Sequence, residues 1–202
     1  METLKRTNPE QYNAYQMIAN TRHSFFLTGK AGTGKTTFLK KIQEEVAKNF
    51  LVLAPTGLAA INVGGQTIHS FFGFKFGVLG PGETGTLNPN KIALVRHIDT
   101  IIIDEVSMVR CDLIDAMDRT LRLYRKNSAP FGGVQMVFVG DMFQLEPVAL
   151  PQDREILYEI YGTDRCYFYK ANVIRRYDLP KIAFLKIYRQ SDPIFIEILA
   201  HC

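Results

Sequence analysis

Two short stretches carry residue types that handle phosphate. Gly29-Lys30-Ala31-Gly32-Thr33-Gly34-Lys35-Thr36 meets every fixed position of Gly-x-x-x-x-Gly-Lys-Thr. Its glycines let backbone N–H groups converge on phosphate oxygens, and a helix starting at its end adds a partial positive charge. Lys35 is placed to neutralise the β- and γ-phosphates, and the Thr36 hydroxyl to ligate Mg²⁺. The residues expected around the nucleotide are Gly29, Ala31, Gly32, Thr33, Gly34, Lys35, Thr36 and Thr37. The second stretch is Ile101-Ile102-Ile103-Asp104-Glu105. A carboxylate at the end of a buried strand can hold Mg²⁺, and Asp104 has that place. Glu105 is positioned to orient or deprotonate an attacking water. Such a pair favours hydrolysis over phosphate transfer to a small acceptor. A guanine-reading Asn-Lys-x-Asp is missing, since Asn90-Lys91 runs into Ile92-Ala93.

These residues need elements to hold them. Ser24 to Leu27 reads as a strand leading into the glycine loop, and Phe38, Ile42 and Val46 then recur on one helical face. Asn8-Pro9 predicts a helix start, running to about Asn20. Thr100 to Ile103 is a continuous β-branched run, expected of a strand buried on both faces, and Leu51 to Ala54 and Val134 to Val139 read as further strands, the latter buried. Leu113, Met117, Leu121 and Tyr124 mark an amphipathic helix. Residues 73–90 are rich in Gly and Pro and predict a long surface loop. Cys166 to Tyr169 and Ala183 to Ile187 read as two further strands, and Asp192-Pro193 as a fresh helix start. Strands alternating with helices imply a parallel sheet covered on both sides.

Composition narrows the setting. The 202 residues are 47% hydrophobic and 22% charged, with a net charge of +4, which suits one globular domain and permits a polyanionic partner without demanding it. Cys111, Cys166 and Cys202 have no metal-ligand spacing, and their odd number argues against a disulfide framework. No apolar run reaches the roughly 20 residues of a membrane helix, and the N-terminus carries no apolar stretch of a signal peptide. The expectation is a cytoplasmic, nucleoid-associated protein.

Beyond these patterns, the order of motifs resembles one family. Asp104-Glu105-Val106-Ser107-Met108-Val109 precedes a helix, then Pro130-Phe131-Gly132-Gly133-Val134-Gln135, then Gly140-Asp141-Met142-Phe143-Gln144-Leu145-Glu146-Pro147-Val148. This is similar to the Pif-one (petite integration frequency) DNA helicases, RecD relatives in superfamily one. Ala54-Pro55-Thr56-Gly57-Leu58-Ala59-Ala60 and Gly65-Gln66-Thr67-Ile68-His69-Ser70-Phe71 resemble that family's DNA-contacting motifs. Tyr188-Arg189-Gln190-Ser191-Asp192 resembles the motif that opens its second motor domain.

The resemblance implies a P-loop NTPase of α/β class, with a RecA-like three-layer α/β/α fold and a mostly parallel central sheet. Residues 1–188 would form the first motor domain and 189–202 the truncated start of a second. By the same resemblance Gln11 reads the adenine edge, Gln144 senses the γ-phosphate and couples it to DNA, and Arg189 stabilises charge in the transition state. Pro55, Thr56, Gly57, His69 and Phe71 would line a single-stranded DNA path. On chemistry alone, Phe71, Phe72, Phe74 and Phe76 could stack on bases, but such a cluster more often packs a loop onto the core. Leu58 and Glu146 depart from the family, which often has a basic residue and a proline there.

The implied activity is an ATP- and Mg²⁺-dependent DNA helicase in genome maintenance, including repair, recombination and telomere upkeep. Its partners would be single-stranded DNA and a second RecA-like domain of a longer polypeptide. A single lobe should bind nucleotide but hydrolyse it poorly. A rival reading is a stand-alone ATP-binding switch that gates a protein partner and ignores single strands.

Overall fold

The computed structural model describes residues 8–163 and 165–188. Six strands form one sheet: β1 (Phe25–Gly29), β2 (Phe50–Ala54), β3 (Gln66–Thr67), β4 (Thr100–Ile103), β5 (Gln135–Gly140) and β6 (Lys181–Phe184). Their order is β3-β2-β4-β5-β1-β6, and every neighbouring pair is parallel. The helices are α1 (Pro9–Asn20), α2 (Lys35–Glu45), α3 (Gly57–Asn62), α4 (Ile68–Phe72), α5 (Pro89–His97), α6 (Cys111–Arg125), α7 (Pro151–Tyr161) and α8 (Asn172–Arg175). Among the described residues, no helix is long and apolar enough to cross a membrane.

The continuous apolar strands serve two cores at once, because successive side chains point to opposite faces. Ile102, Val137 and Val139 pack with Ala14 and Ile18 of α1 and with Phe38, Leu39 and Ile42 of α2. Ile101, Ile103, Met136 and Phe138 pack with Phe71 and Phe72 of α4 and with Ile114, Met117 and Leu121 of α6. This is the three-layer α/β/α arrangement expected, and its central sheet is parallel throughout the described residues.

Helix starts follow local chemistry. The Asn8 side chain accepts from the Gln11 N–H at 3.1 Å, with Pro9 in the first turn. Asn88-Pro89 repeats that signature at α5, where the Asn88 side chain accepts from the Lys91 N–H at 2.9 Å. Thr56 and Thr67 cap the two short helices α3 and α4 in the same way.

The expected strand at Cys166–Tyr169 does not form. Phe168 to Lys170 is a 3-10 turn, and only Tyr167 makes an isolated bridge, to Arg110. The reason is Phe168, which sits in the core with its ring 5.3 Å from those of both Phe26 and Phe138. The last described strand comes slightly earlier than expected, at Lys181–Phe184. The helix start read at Asp192-Pro193, and the second-domain segment 189–202 with Arg189, lie outside the described residues.

Candidate nucleotide site and strand path

A parallel sheet puts the carboxyl ends of all its strands on one edge, which is where α/β folds bind ligands. The glycine loop leaves β1, Asp104 and Glu105 leave β4, and Asp141 and Gln144 leave β5. Strand β5 lies between β4 and β1, so its end faces both halves of the site.

The loop's glycines are used as glycines. Gly32 and Gly34 have φ of 79° and 83°, a region that side chains disfavour. A Cβ on Gly29 would stand 2.6 Å from the Thr33 hydroxyl and 2.9 Å from the Phe184 carbonyl oxygen. Thr33 itself is buried and donates to the Lys30 carbonyl at 2.9 Å, so its side chain holds the loop's shape. Gly34 precedes α2, whose first turn carries Lys35, Thr36 and Thr37. The Lys35 ammonium folds back onto the Gly29 carbonyl and, at 3.1 Å, the Lys30 carbonyl.

Around that ammonium stand three acids. Burial lowers the Lys35 pKa, while Asp141, Glu105 and Asp104 pull it back up. Burial raises Asp104, against the Glu105 N–H that donates to it at 3.0 Å. Glu105 is raised by burial first and by Asp104 second. Its backbone is left-handed, with φ 50° and ψ 42°, a conformation costing about 1–2 kcal/mol for a residue with a Cβ. That strain aims the carboxyl into the site before the chain tightens into a 3-10 turn at Val106–Met108. Asp141 is buried and shapes the next turn, accepting from the Phe143 N–H at 3.1 Å and from the Gln144 side chain at 3.4 Å.

Ala31 to Thr37, Asn62, Asp104, Glu105, Gln144 and Tyr188 line a cavity of about 790 Å³. A second cavity of about 300 Å³, bounded by Gln11, Tyr15, Phe38 and Ile42, adjoins it at Gly34, Thr37 and Tyr188. One is built of loop amides, a cation and acids, the other mainly of apolar side chains. Together they match a triphosphate and a base. The donor set also fits Mg²⁺. No three His, Cys, Asp or Glu side chains among the described residues close on one point. The hydroxyl of Thr36 and the carboxylates of Asp104 and Glu105 nevertheless share the larger cavity, and Mg²⁺ commonly takes one or two protein oxygens beside phosphate oxygens and water.

The sequence patterns had not singled out Asp141 or Tyr188 as side chains of this site. The Tyr188 N–H donates to the Gly32 carbonyl at 2.9 Å, and its hydroxyl accepts from the Asn8 amide at 2.6 Å. No local spacing signals that contact.

The residues expected on a strand path sit farther along the same edge. In the β2–β3 register Ala54 faces Thr67, so Pro55-Thr56-Gly57 and Ile68-His69 leave the sheet side by side. The Thr56 hydroxyl oxygen accepts from the Ala59 N–H at 3.3 Å, which leaves its proton for another acceptor. Phe71 does not join this surface, contrary to expectation. Its side chain is 0% exposed in the core, and the Lys91 ammonium lies 5.4 Å from its ring centre. Of the four phenylalanines, Phe71, Phe72 and Phe74 are buried and Phe76 is exposed. Glu146 accepts a hydrogen bond from the Tyr167 hydroxyl, which ties the loop after β5 to the turn before α8. Leu58 is exposed on α3.

A family model for PIF1-like helicases matches residues 6–170. The ATP-dependent DNA helicase PIF1 of Candida albicans is 41% identical over 204 residues, covering 96% of this chain and 22% of the relative. The ATP-dependent DNA helicase RRM3 of Saccharomyces cerevisiae is 33% identical over 202 residues, covering 94% of this chain and 26% of the relative. The solved structure of a Pif1 helicase from Bacteroides in complex with ADP-AlF3 and ssDNA matches with a TM-score of 0.90 at 43% identity, over 95% of this chain and 45% of that one. The chain thus spans about a quarter of these curated relatives and under half of the solved chain.

Proposed function

This chain belongs to the PIF1-like helicase family, and from that premise we propose that it is the first, ATP-binding motor lobe of an ATP-dependent DNA helicase. The observation that carries the reading is the set of charged groups at one sheet edge. Lys35 stands on the glycine loop, and Asp141, Glu105 and Asp104 are its charged neighbours in turn. Residues 1–188 form the lobe, and 189–202 open a second one. Genome maintenance is the setting of the whole protein.

The base of ATP enters the cavity of Gln11 and Tyr15, which Tyr188 also lines. The phosphates lie along the N–H groups from Ala31 to Thr36, where Lys35 exchanges the Gly29 and Lys30 carbonyls for phosphate oxygens. Thr36 and Asp104 would hold Mg²⁺, which supplies charge neutralisation for the leaving phosphates. Glu105 takes a proton from the attacking water and so acts as general base. Gln144, anchored on Asp141, reports the state of the γ-phosphate to the strand path. Arg189 would stabilise charge in the transition state, the role its motif implies. Thr56 and the backbone around Pro55 and Gly57 grip the phosphates of single-stranded DNA without reading sequence, and His69 lies beside them.

The test is fluorescence anisotropy of a labelled oligo-dT strand titrated with this chain, with and without a non-hydrolysable ATP analogue. A duplex of equal length serves as control at near-physiological salt. Single-strand preference that responds to nucleotide is expected. Nucleotide binding without any affinity for the strand would replace this reading with an ATP-gated protein switch.

A further inference from the structure

Phe76 is 93% exposed, whereas its neighbours Phe71, Phe72 and Phe74 are in the core. The ring is still held. It stacks on the His69 imidazole, with centroids 5.3 Å apart and planes 21° from parallel. The Phe74 ring meets the other edge of His69 at 6.4 Å and 85°, fixing the imidazole from the core side. Burial lowers the His69 pKa, and the nearby Arg110 lowers it further against the pull of Asp112, so the imidazole presents a neutral π face at pH 7.

We propose that the stacked pair His69–Phe76 is a nucleobase platform, on which one base of a single DNA strand seats against the exposed Phe76 ring. The proposal rests on the single-strand reading above and adds to it the side chain that takes a base.

Three observations support it. His69 leaves the sheet beside Thr56, because Ala54 faces Thr67 in the β2–β3 register. The platform therefore lies next to the proposed phosphate grip. An exposed cation, Lys75, directly precedes the ring in the chain and suits the backbone of a strand whose base is stacked. Finally, the loop is tied down. The Arg110 guanidinium donates to the Gly77 carbonyl at 2.6 Å, and the Leu79 N–H donates to Asp112 at 2.9 Å. Arg110 pairs with Asp112 at 2.7 Å. Arg110 and Asp112 thus hold the loop that carries Phe76 against the start of α6. Every base offers a π face, so such a platform is indifferent to sequence.

The chain contains no tryptophan, so Phe76→Trp creates a single reporter at the platform. Two titrations with oligo-dT test the idea. Phe76→Ala should bind about tenfold more weakly than the unaltered chain, with the same salt dependence, because no phosphate contact is lost. Emission of Phe76→Trp should be quenched by oligo-dT and far less by an abasic oligomer carrying the same phosphates. If Phe76→Ala binds like the unaltered chain, or both oligomers quench equally, the platform is wrong while the single-strand reading stands. If the unaltered chain binds no oligo-dT, both fall together. Phe76 makes no core contact, so thermal unfolding of Phe76→Ala should match the unaltered chain and exclude misfolding as the cause.

Discussion

Asn8 and Tyr188 lie 180 residues apart and share a hydrogen bond of 2.6 Å from the asparagine amide to the phenol oxygen. Asn8 also caps α1 through its other side-chain atom, accepting from the Gln11 N–H. One residue thus starts the helix that carries Gln11 and holds the ring of Tyr188, which lines the same cavity. Removing the ring should cost nucleotide affinity. Tyr188→Ala is expected to weaken binding of a fluorescent ATP analogue by about tenfold, in line with the stacking and burial lost. Tyr188→Phe should retain most of the affinity, because only the Asn8 bond goes. Equal binding by all three proteins would remove Tyr188 from the site.

The charged cluster separates binding from chemistry. Lys35→Ala deletes the cation proposed to face the phosphates and should reduce ATP-analogue affinity at least tenfold. Glu105→Gln should keep that affinity and lower what single-turnover hydrolysis the lobe has, by up to about 10²–10⁴, the usual contribution of a general base. Hydrolysis unchanged in Glu105→Gln would assign the base elsewhere.

Close approach in the loop after α4 gives a stability contrast. A Cβ on Gly85 would lie 2.2 Å from the Phe72 carbonyl oxygen, whereas one on Gly82 meets nothing within 4 Å. Gly85→Ala should destabilise the fold by about 1–3 kcal/mol, the range for overpacking against backbone. Gly82→Ala should be neutral within about 0.5 kcal/mol. Urea unfolding of the two variants measures the difference. Equal midpoints would show that the loop yields without cost.

Alkaline pH should loosen the second core. Burial pushes the Cys111 thiol up from 9.0 to about 12, and the neighbouring Asp112 adds to the shift. Burial and then Asp115, which accepts its hydroxyl proton at 3.0 Å, push Tyr161 the same way. Both groups are held neutral by the fold. Their contribution to stability is therefore complete below the unfolded-state pKa values and is lost as pH rises toward the folded ones. The melting temperature should fall from about pH 9 upward, and Cys111→Ala should flatten that fall. Folded chain treated with iodoacetamide at about pH 8.5 should leave Cys111 unmodified, while chain in urea is labelled there, as peptide mass mapping would read. Rapid labelling of folded chain would contradict the buried, neutral thiol.

Much of the fold was legible because its signals are local. A glycine loop followed by lysine and threonine needs only the strand before it and the helix after it. The runs Thr100–Ile103 and Gln135–Gly140 announce burial on both faces by lacking polar alternation. Helix α5 also carries a proline in the first turn, yet its sequence has weak apolar periodicity and is easily passed over.

What the chain's order of residues determined by itself was the phosphate loop, the acid pair Asp104-Glu105 and the parallel three-layer plan. Each depends on neighbours within a few positions. Only the tertiary structure decided which phenylalanine is exposed, that Asp141 joins the acids around Lys35, and that Tyr188 lines the cavity of Gln11 and Tyr15. It also decided the use of α6. There Asp115 accepts from the Tyr161 hydroxyl and from the N–H groups of Asn172 and Val173, while Asp118 accepts from the N–H of Phe131. Both acids fall off the apolar stripe of Leu113, Met117, Leu121 and Tyr124. They are buried because distant turns bring N–H and O–H donors to them, so that the buried donors and the carboxylates satisfy one another.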